Sequence, residues 1–423
     1  MNVFISFNPI LRRNLLVLFT AGLLFWSGLA ALLPTLPLYI QATGASDHTV
    51  GIVMGTFAVG LIASRGWLSR LADHRGRKVV MLIGMVAVAV APLGYIVTDS
   101  IPMLMAIRAF HGISIAAFAL AYSALVVDLS PPDHRGEIIG FMSLVNPIGL
   151  ALGPAIGGYA HEWFGFTPMF LIATGLGILG LFCTTQVKEA RQLQDTAPQS
   201  QHNYFWRLLL SPRIRIPAIV LLLVGLTFGS LSTFIPLFIQ DVGASLNVGL
   251  FYTAVALSSF SIRLLVGPAS DRYGRGVFIS ISLIFYALSM AMLWRAHNAV
   301  TFLLAGAVEG AGAGTLIPMI AALMADRSHA DERGRTFGVC MLGFDAGIAL
   351  AGPVLGLFAD QIGYRGIFGA CAVLSVLGLG IFLTCSGKDT AHSLRFALGL
   401  GRDSYAIDLP QSLPKLEKAS KSP

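Results

Sequence analysis

Four ionisable side chains, Arg108, His111, Glu309 and Asp345, stand inside long apolar runs of this chain. A charge at the centre of a lipid bilayer costs about 2.5–3.5 kcal/mol on insertion scales, so such residues usually mark ion or proton pathways. A carboxyl in a low-dielectric cavity disfavours its charged form, which lets it take up and release a proton. Glu309 and Asp345 are therefore candidates for an exchangeable proton site; the plainer alternative is that Glu309 pairs with an arginine or a backbone group. One proton gains about 2.3 kcal/mol from 100 mV and about 1.4 kcal/mol from one pH unit, enough to drive a several-hundred-fold gradient of a cargo. A second set of charges occupies two short stretches, "SRLADHRGRK" and "GPASDRYGRG". Asp73, Gly76 and Arg77, with Lys78, recur as Asp271, Gly274 and Arg275, with Arg272, 198 residues later. A glycine lets the chain turn sharply between helices. An aspartate near a helix N-terminus is favoured by the helix dipole, and an arginine can brace it.

The elements that must hold these charges are apolar helices. Of 423 residues, 55% are hydrophobic and 12% charged, whereas a soluble domain carries about 25% charged residues. Twelve runs are long enough to span a bilayer, at 14–39, 49–70, 79–97, 102–127, 137–160, 167–185, 214–239, 248–268, 277–295, 300–325, 335–358 and 365–386. The expectation is an all-α integral membrane protein. The net charge of +7 reflects topology: apart from Arg108, Arg295 and Arg365, the 28 Lys and Arg residues fall in the even-numbered loops, the helix ends beside them and the two chain ends. The positive-inside rule then puts both termini in the cytoplasm. Cys183, Cys340, Cys371 and Cys385 show no metal-ligand spacing and read as free apolar thiols.

The 198-residue offset recurs beyond the charged loops. Arg65 matches Arg263, Gly112 matches Gly310, Asp128 matches Asp326, and "RGEIIG" matches "RGRTFG". The chain thus reads as two six-helix halves, 1–186 and 214–386. A polar cytoplasmic linker, 187–213, joins them, and its "FWRLLL" segment is expected to lie on the membrane surface. The tail, 387–423, is expected to be disordered.

Two parallel six-helix repeats resemble the major facilitator superfamily, and the motifs extend the resemblance. The two charged loops resemble its signature Gly-x-x-x-Asp-Arg-x-Gly-Arg-Arg/Lys. The second copy departs only at Gly276, and the first departs at Ser69 and His74. The resemblance implies two pseudo-symmetric bundles with substrate bound between them near the midplane. It also implies a gating latch, with Arg77 on Asp128 and with Asp73 facing Arg335 and Thr336. Gly140, Gly149, Gly153, Pro154, Gly157 and Gly158 fill every place of a helix signature associated with proton-coupled drug exporters. Gly149, Gly153 and Gly157 share one helical face, as in close packing of membrane helices. "RAFHG" is similar to the family's Arg-x-x-Gln-Gly motif, associated with proton coupling, with His111 in place of Gln.

In function, the resemblance implies a proton-driven antiporter of the 12-helix drug type, exporting small amphipathic molecules. It would work as a monomer in the plasma (inner) membrane, without a cofactor, a metal or a nucleic-acid partner. The first run carries no acid, which leaves neutral and anionic cargo open. Asn146 is a further cavity candidate, as are Phe25, Trp26, Tyr39, Gln41, Tyr122, Phe228, Phe234, Tyr252 and Phe344. A sugar or metabolite exporter and a membrane receptor or scaffold are the alternatives. The chain has no HExxH, paired CxxC or GxSxG motif to support an enzyme, and no GxxxxGK[ST] to support an ATP-driven pump.

Overall fold

A computed structural model describes residues 8–131, 134–189, 207–329 and 332–407, without the side chains of Pro268 and Asp271. Among the described residues, twelve spans are long and apolar enough to cross a membrane. In the first half they are α1 (Pro9–Ala30, continued by α2, Leu36–Ala42), α3 (Asp47–Arg75), α4 (Arg77–Val97), α5 (Ile101–Leu129), α6 with α7 (Arg135–Met142 and Val145–Phe164) and α8 (Phe166–Gln186). In the second half they are α9 (Pro212–Asp241), α10 (Val248–Tyr273), α11 (Arg275–Arg295), α12 (Ala299–Asp326), α13 (Arg333–Gly356) and α14 (Ala359–Cys385). Twelve alternating spans bring both chain ends to one face, here termed the terminal face; the other is the far face.

Local chemistry sets the span ends. Asn8 and Ser46 cap α1 and α3 through their side chains, and Asn298 with Thr301 forms a full capping box on α12. Gly76 and Gly274 turn the chain at φ 94° and 89°, a region costly for any residue with a Cβ. They are the glycines of the two repeated loops. Outward-facing residues such as Ile178, Phe182, Val373 and Val376 remain exposed, as the lipid-facing sides of spans must.

Three apolar clusters locate the division between the halves. One draws on both halves, joining Leu36, Val50 and Phe170 to Phe234, Phe251 and Phe368 at the far face. The other two each belong to one half: Leu18, Val80 and Phe118 in the first, Val224, Leu283 and Phe382 in the second. The bundles are therefore fused at the far face and separate toward the terminal face. Two backbone seams make the fusion. A Cβ on Gly51 (α3) would collide with the backbone of Gly352 (α13), and one on Gly249 (α10) with the carbonyl of Pro154 (α7). At Gly66, Gly140, Gly267 and Gly338, nearer the terminal face, an added Cβ would meet nothing described within 4 Å. A cleft opens there.

One expectation is corrected. The tail is ordered through residue 407: α15 (Thr390–Ala397) packs on the second half, and Arg327, fully buried, pairs with Asp403 at 2.7 Å. The same guanidinium donates to the carbonyls of Arg213 and Ser386. Buried hydrogen-bond demand, invisible in the polar composition of the tail, holds it down; 408–423 lie outside the described residues. In the linker, Leu208 is buried against the second half's core while Arg207 and Leu210 are exposed; Phe205 and Trp206 lie outside the described residues.

Arg327→Met should strand the Asp403 carboxylate and cost about 3–5 kcal/mol of stability, read by chemical denaturation in detergent. An unchanged midpoint would show the tail to be dispensable. Gly352→Leu should force α3 and α13 apart and cost about 1–3 kcal/mol. The same titration checks it, with Gly338→Leu, facing open space, as the neutral comparison.

Candidate functional site

The six exporter-signature positions split by direction. Gly149, Gly153 and Gly157 press on α1 at Trp26, Ser27 and Ala31, within their own half. Pro154 and Gly158 meet α10 of the other half, at Gly249 and Asn247. The Thr253 hydroxyl also donates to the Ala151 carbonyl across this seam. Asn247 donates to Glu162 there and accepts from the Gly249 N–H. Gly140 lies outside both contacts. Span 5 is therefore welded to its own bundle on one side and seats the opposite bundle on the other. Polar contacts close the far face beside the Gly51–Gly352 seam, where Tyr364 donates to Asp47 at 2.9 Å and Gln41 donates to both.

Asp345 is buried on α13 and pairs with Arg65 of α3 at 2.9 Å, one charge from each half. The arginine is about one-third exposed (34%), so the pair borders the open cleft rather than the sealed core. Arg65 belongs to this site, although its position suggested a helix end. The second span continues to Arg75, which leaves Arg65 about 15 Å inside the helix. The signal was present in the sequence as a charge repeated at Arg263.

Glu309 is fully buried on α12, and neither carboxylate oxygen has a hydrogen-bond partner among the described residues. No arginine pairs with it there. Tyr252 and Tyr286 lie within range of its charge, and the Tyr252 hydroxyl is buried and equally unpartnered. The repeat-related site in the first half is filled differently. His111 is fully buried, 3.3 Å from the Tyr95 hydroxyl, and Arg108 stacks 4.4 Å over the Phe57 ring. Asn146 is half-buried. Phe25 and Phe234 are fully buried in the packing, and Tyr122 donates to the Met142 carbonyl. Phe228 and Phe344 pack against each other with their rings tilted by 37°. These aromatics pack helices together.

On the terminal face Arg77 pairs with Asp128, and its repeat mate Arg275 with Asp326. Lys78 donates to the Thr185 carbonyl, and Arg272 lies over the Tyr273 ring. A carboxylate from the end of span 6, Glu189, accepts from the backbone N–H groups of Arg77 and Lys78, where the helix dipole favours it. No motif in the sequence marked that residue. Asp73 has no ion pair or hydrogen bond among the described residues, so the implied approach to Arg335 and Thr336 is not made here. α3 and α13 meet instead at Gly51 and Gly55, toward the other face. The Asp271 side chain lies outside those described.

The Major Facilitator Superfamily model matches residues 18–268 and 243–397, nearly the whole described bundle. The chain belongs to the Major Facilitator Superfamily. It is a multi-pass membrane transporter rather than an enzyme. The Multi-drug resistance efflux pump PmrA homolog of Lactococcus lactis is 25% identical over 379 residues, covering 84% of this chain and 90% of that one. Multidrug resistance protein MdtG of Serratia proteamaculans is 26% identical over 384 residues, covering 86% and 91%. Among solved structures, nucleoside transporter NupG superposes with a TM-score of 0.76 at 14% identity, over 86% of this chain and 98% of that one. A bacterial homologue of the human lysosomal transporter Spinster, inward-facing and unoccupied, gives 0.73 at 14% identity, over 89% and 97%.

Removing Arg65 leaves the Asp345 carboxylate uncompensated. Arg65→Met should cost about 1–3 kcal/mol, less than a fully buried pair because solvent screens the arginine. Adding Asp345→Asn to Arg65→Met should recover part of that loss, as measured by a double-mutant cycle of unfolding in detergent. Strictly additive effects would show that the pair is not coupled.

Proposed function

We propose that this transporter exports small amphipathic molecules in exchange for protons by alternating access. It would sit in the plasma (inner) membrane as a monomer, with both termini cytoplasmic. The basic residues of the terminal face support that orientation, and with it the cleft opens toward the cytoplasm, the loading state of an exporter. The multidrug-efflux relatives support the cargo class.

The observation that carries the reading is the Arg65–Asp345 pair, because its partners come from opposite halves beside the cleft. Rocking one half against the other must change their separation. Protonating Asp345 removes the attraction, so the protonation state and the cleft geometry bias each other. Glu309, buried without a hydrogen-bond partner among the described residues, is the second candidate carrier. The repeated loops serve the other state: with Arg77–Asp128 and Arg275–Asp326 already formed, Asp73 is left to clasp the opposite half when the terminal face closes.

Reconstituted into liposomes, the wild type should accumulate a dye cargo in response to an imposed pH gradient. If Asp345→Asn or Glu309→Gln removes one coupled proton, the accumulation ratio should fall about tenfold per pH unit. Two variants that both keep the wild-type pH response would end the proton assignment. Flux insensitive to pH and voltage in the wild type would end the antiport reading.

A further inference from the structure

We propose that Arg263 is the anchor for an anionic group on the cargo. This rests on the export reading and narrows its substrate class to amphiphiles carrying a carboxylate, sulfonate or phosphonate.

Successive residues of α10 are turned by about 100°, and three of its sectors are assigned by contact. Phe251, Val255, Ser259 and Ile262 face α12, where they crowd Gly306, Gly310 and Gly314. Gly249 and Thr253 face α7. Leu257, Leu264 and Leu265 are 58%, 63% and 70% exposed and form the lipid side. Position 263 falls between the first two sectors and away from the leucines. Its side chain therefore turns away from lipid toward the interior, within electrostatic range of Tyr286 of α11, which in turn lies within range of Glu309. It is exposed there, and one turn further toward the terminal face Gly267 borders open space.

The repeat shows what is missing. Arg65, the mate of Arg263, is neutralised by Asp345 across the cleft. The place on span 5 that corresponds to Asp345 holds Pro147, beside Asn146, and neither is charged. Among the described residues no acid pairs with Arg263. One half thus contributes an ion-paired charge, and the other a guanidinium with no ion pair among the described residues. A cation within a membrane span is costly unless a counter-charge or water meets it. A guanidinium offers a planar fork of donors that matches carboxylate, sulfonate and phosphonate oxygens in pairs. The absence of any acid in residues 14–39 points the same way, since nothing in the first span would attract a cationic cargo.

The test uses the purified full-length chain in detergent and two dansyl amphiphiles of equal length, one ending in a sulfonate and one in a quaternary ammonium. Binding is read by fluorescence against empty micelles. The wild type should bind the sulfonate at least about tenfold more tightly than the ammonium probe, the gain expected of a charge-assisted bidentate contact. Arg263→Gln should erase that preference by weakening the sulfonate probe at least about tenfold without weakening the ammonium probe, and Arg263→Lys should keep part of it. Equal affinities in the wild type, no detectable sulfonate binding, or an unchanged sulfonate affinity in Arg263→Gln would each overturn the proposal. The wild-type comparison stands even if a variant fails to fold. Because no gradient is involved, failure of export in liposomes remains a separate result.

Discussion

Backbone-to-backbone contact between the halves is the constraint on which the rest of the structure depends. At Gly51 against Gly352, and at Gly249 against Pro154, the helices approach too closely for any side chain. Contact this close maximises dispersion between helices that gain no hydrophobic advantage from leaving lipid. It involves no long side chains that must lock into one rotamer, so it can separate and re-form. The seams lie toward one face, and that placement makes the molecule a wedge with a cleft between its two private cores.

Charge is distributed on the wedge with less symmetry than the fold. The terminal-face braces are duplicated, Arg77 with Asp128 and Arg275 with Asp326. The interior is not duplicated. Where the first half buries His111 against Tyr95, the second buries Glu309 without a hydrogen-bond partner among the described residues. Where α13 offers Asp345, span 5 offers proline. The scaffold is duplicated, and the two halves differ in a few interior side chains, where function on a shared fold is set.

Much of this architecture was legible in the sequence, for identifiable reasons. Spans announce themselves because lipid demands continuous apolar length, and the repeat was visible because turns need glycine at Gly76 and Gly274 whatever surrounds them. Partnerships across the bundle were harder to read. Arg65 sits near the end of an apolar run, and only the helix continuing to Arg75 places it beside Asp345. Glu189 looks like one more polar linker residue until the end of span 6 is seen to approach the start of span 3. The ordered tail escaped notice because its anchor, Arg327, lies 76 positions from Asp403, and composition carries no record of such contacts.

Both ends of the connection between the halves are tied to their own bundles. Asn14 exchanges two hydrogen bonds with Lys188, and Glu189 clasps the start of α4. Arg213 reaches Glu332 and the carbonyl of Arg327. Two separate polypeptides divided anywhere within 190–206 would retain every one of these bonds as well as both glycine seams. The described contacts at both ends therefore position each half's own terminus independently of the chain that joins them.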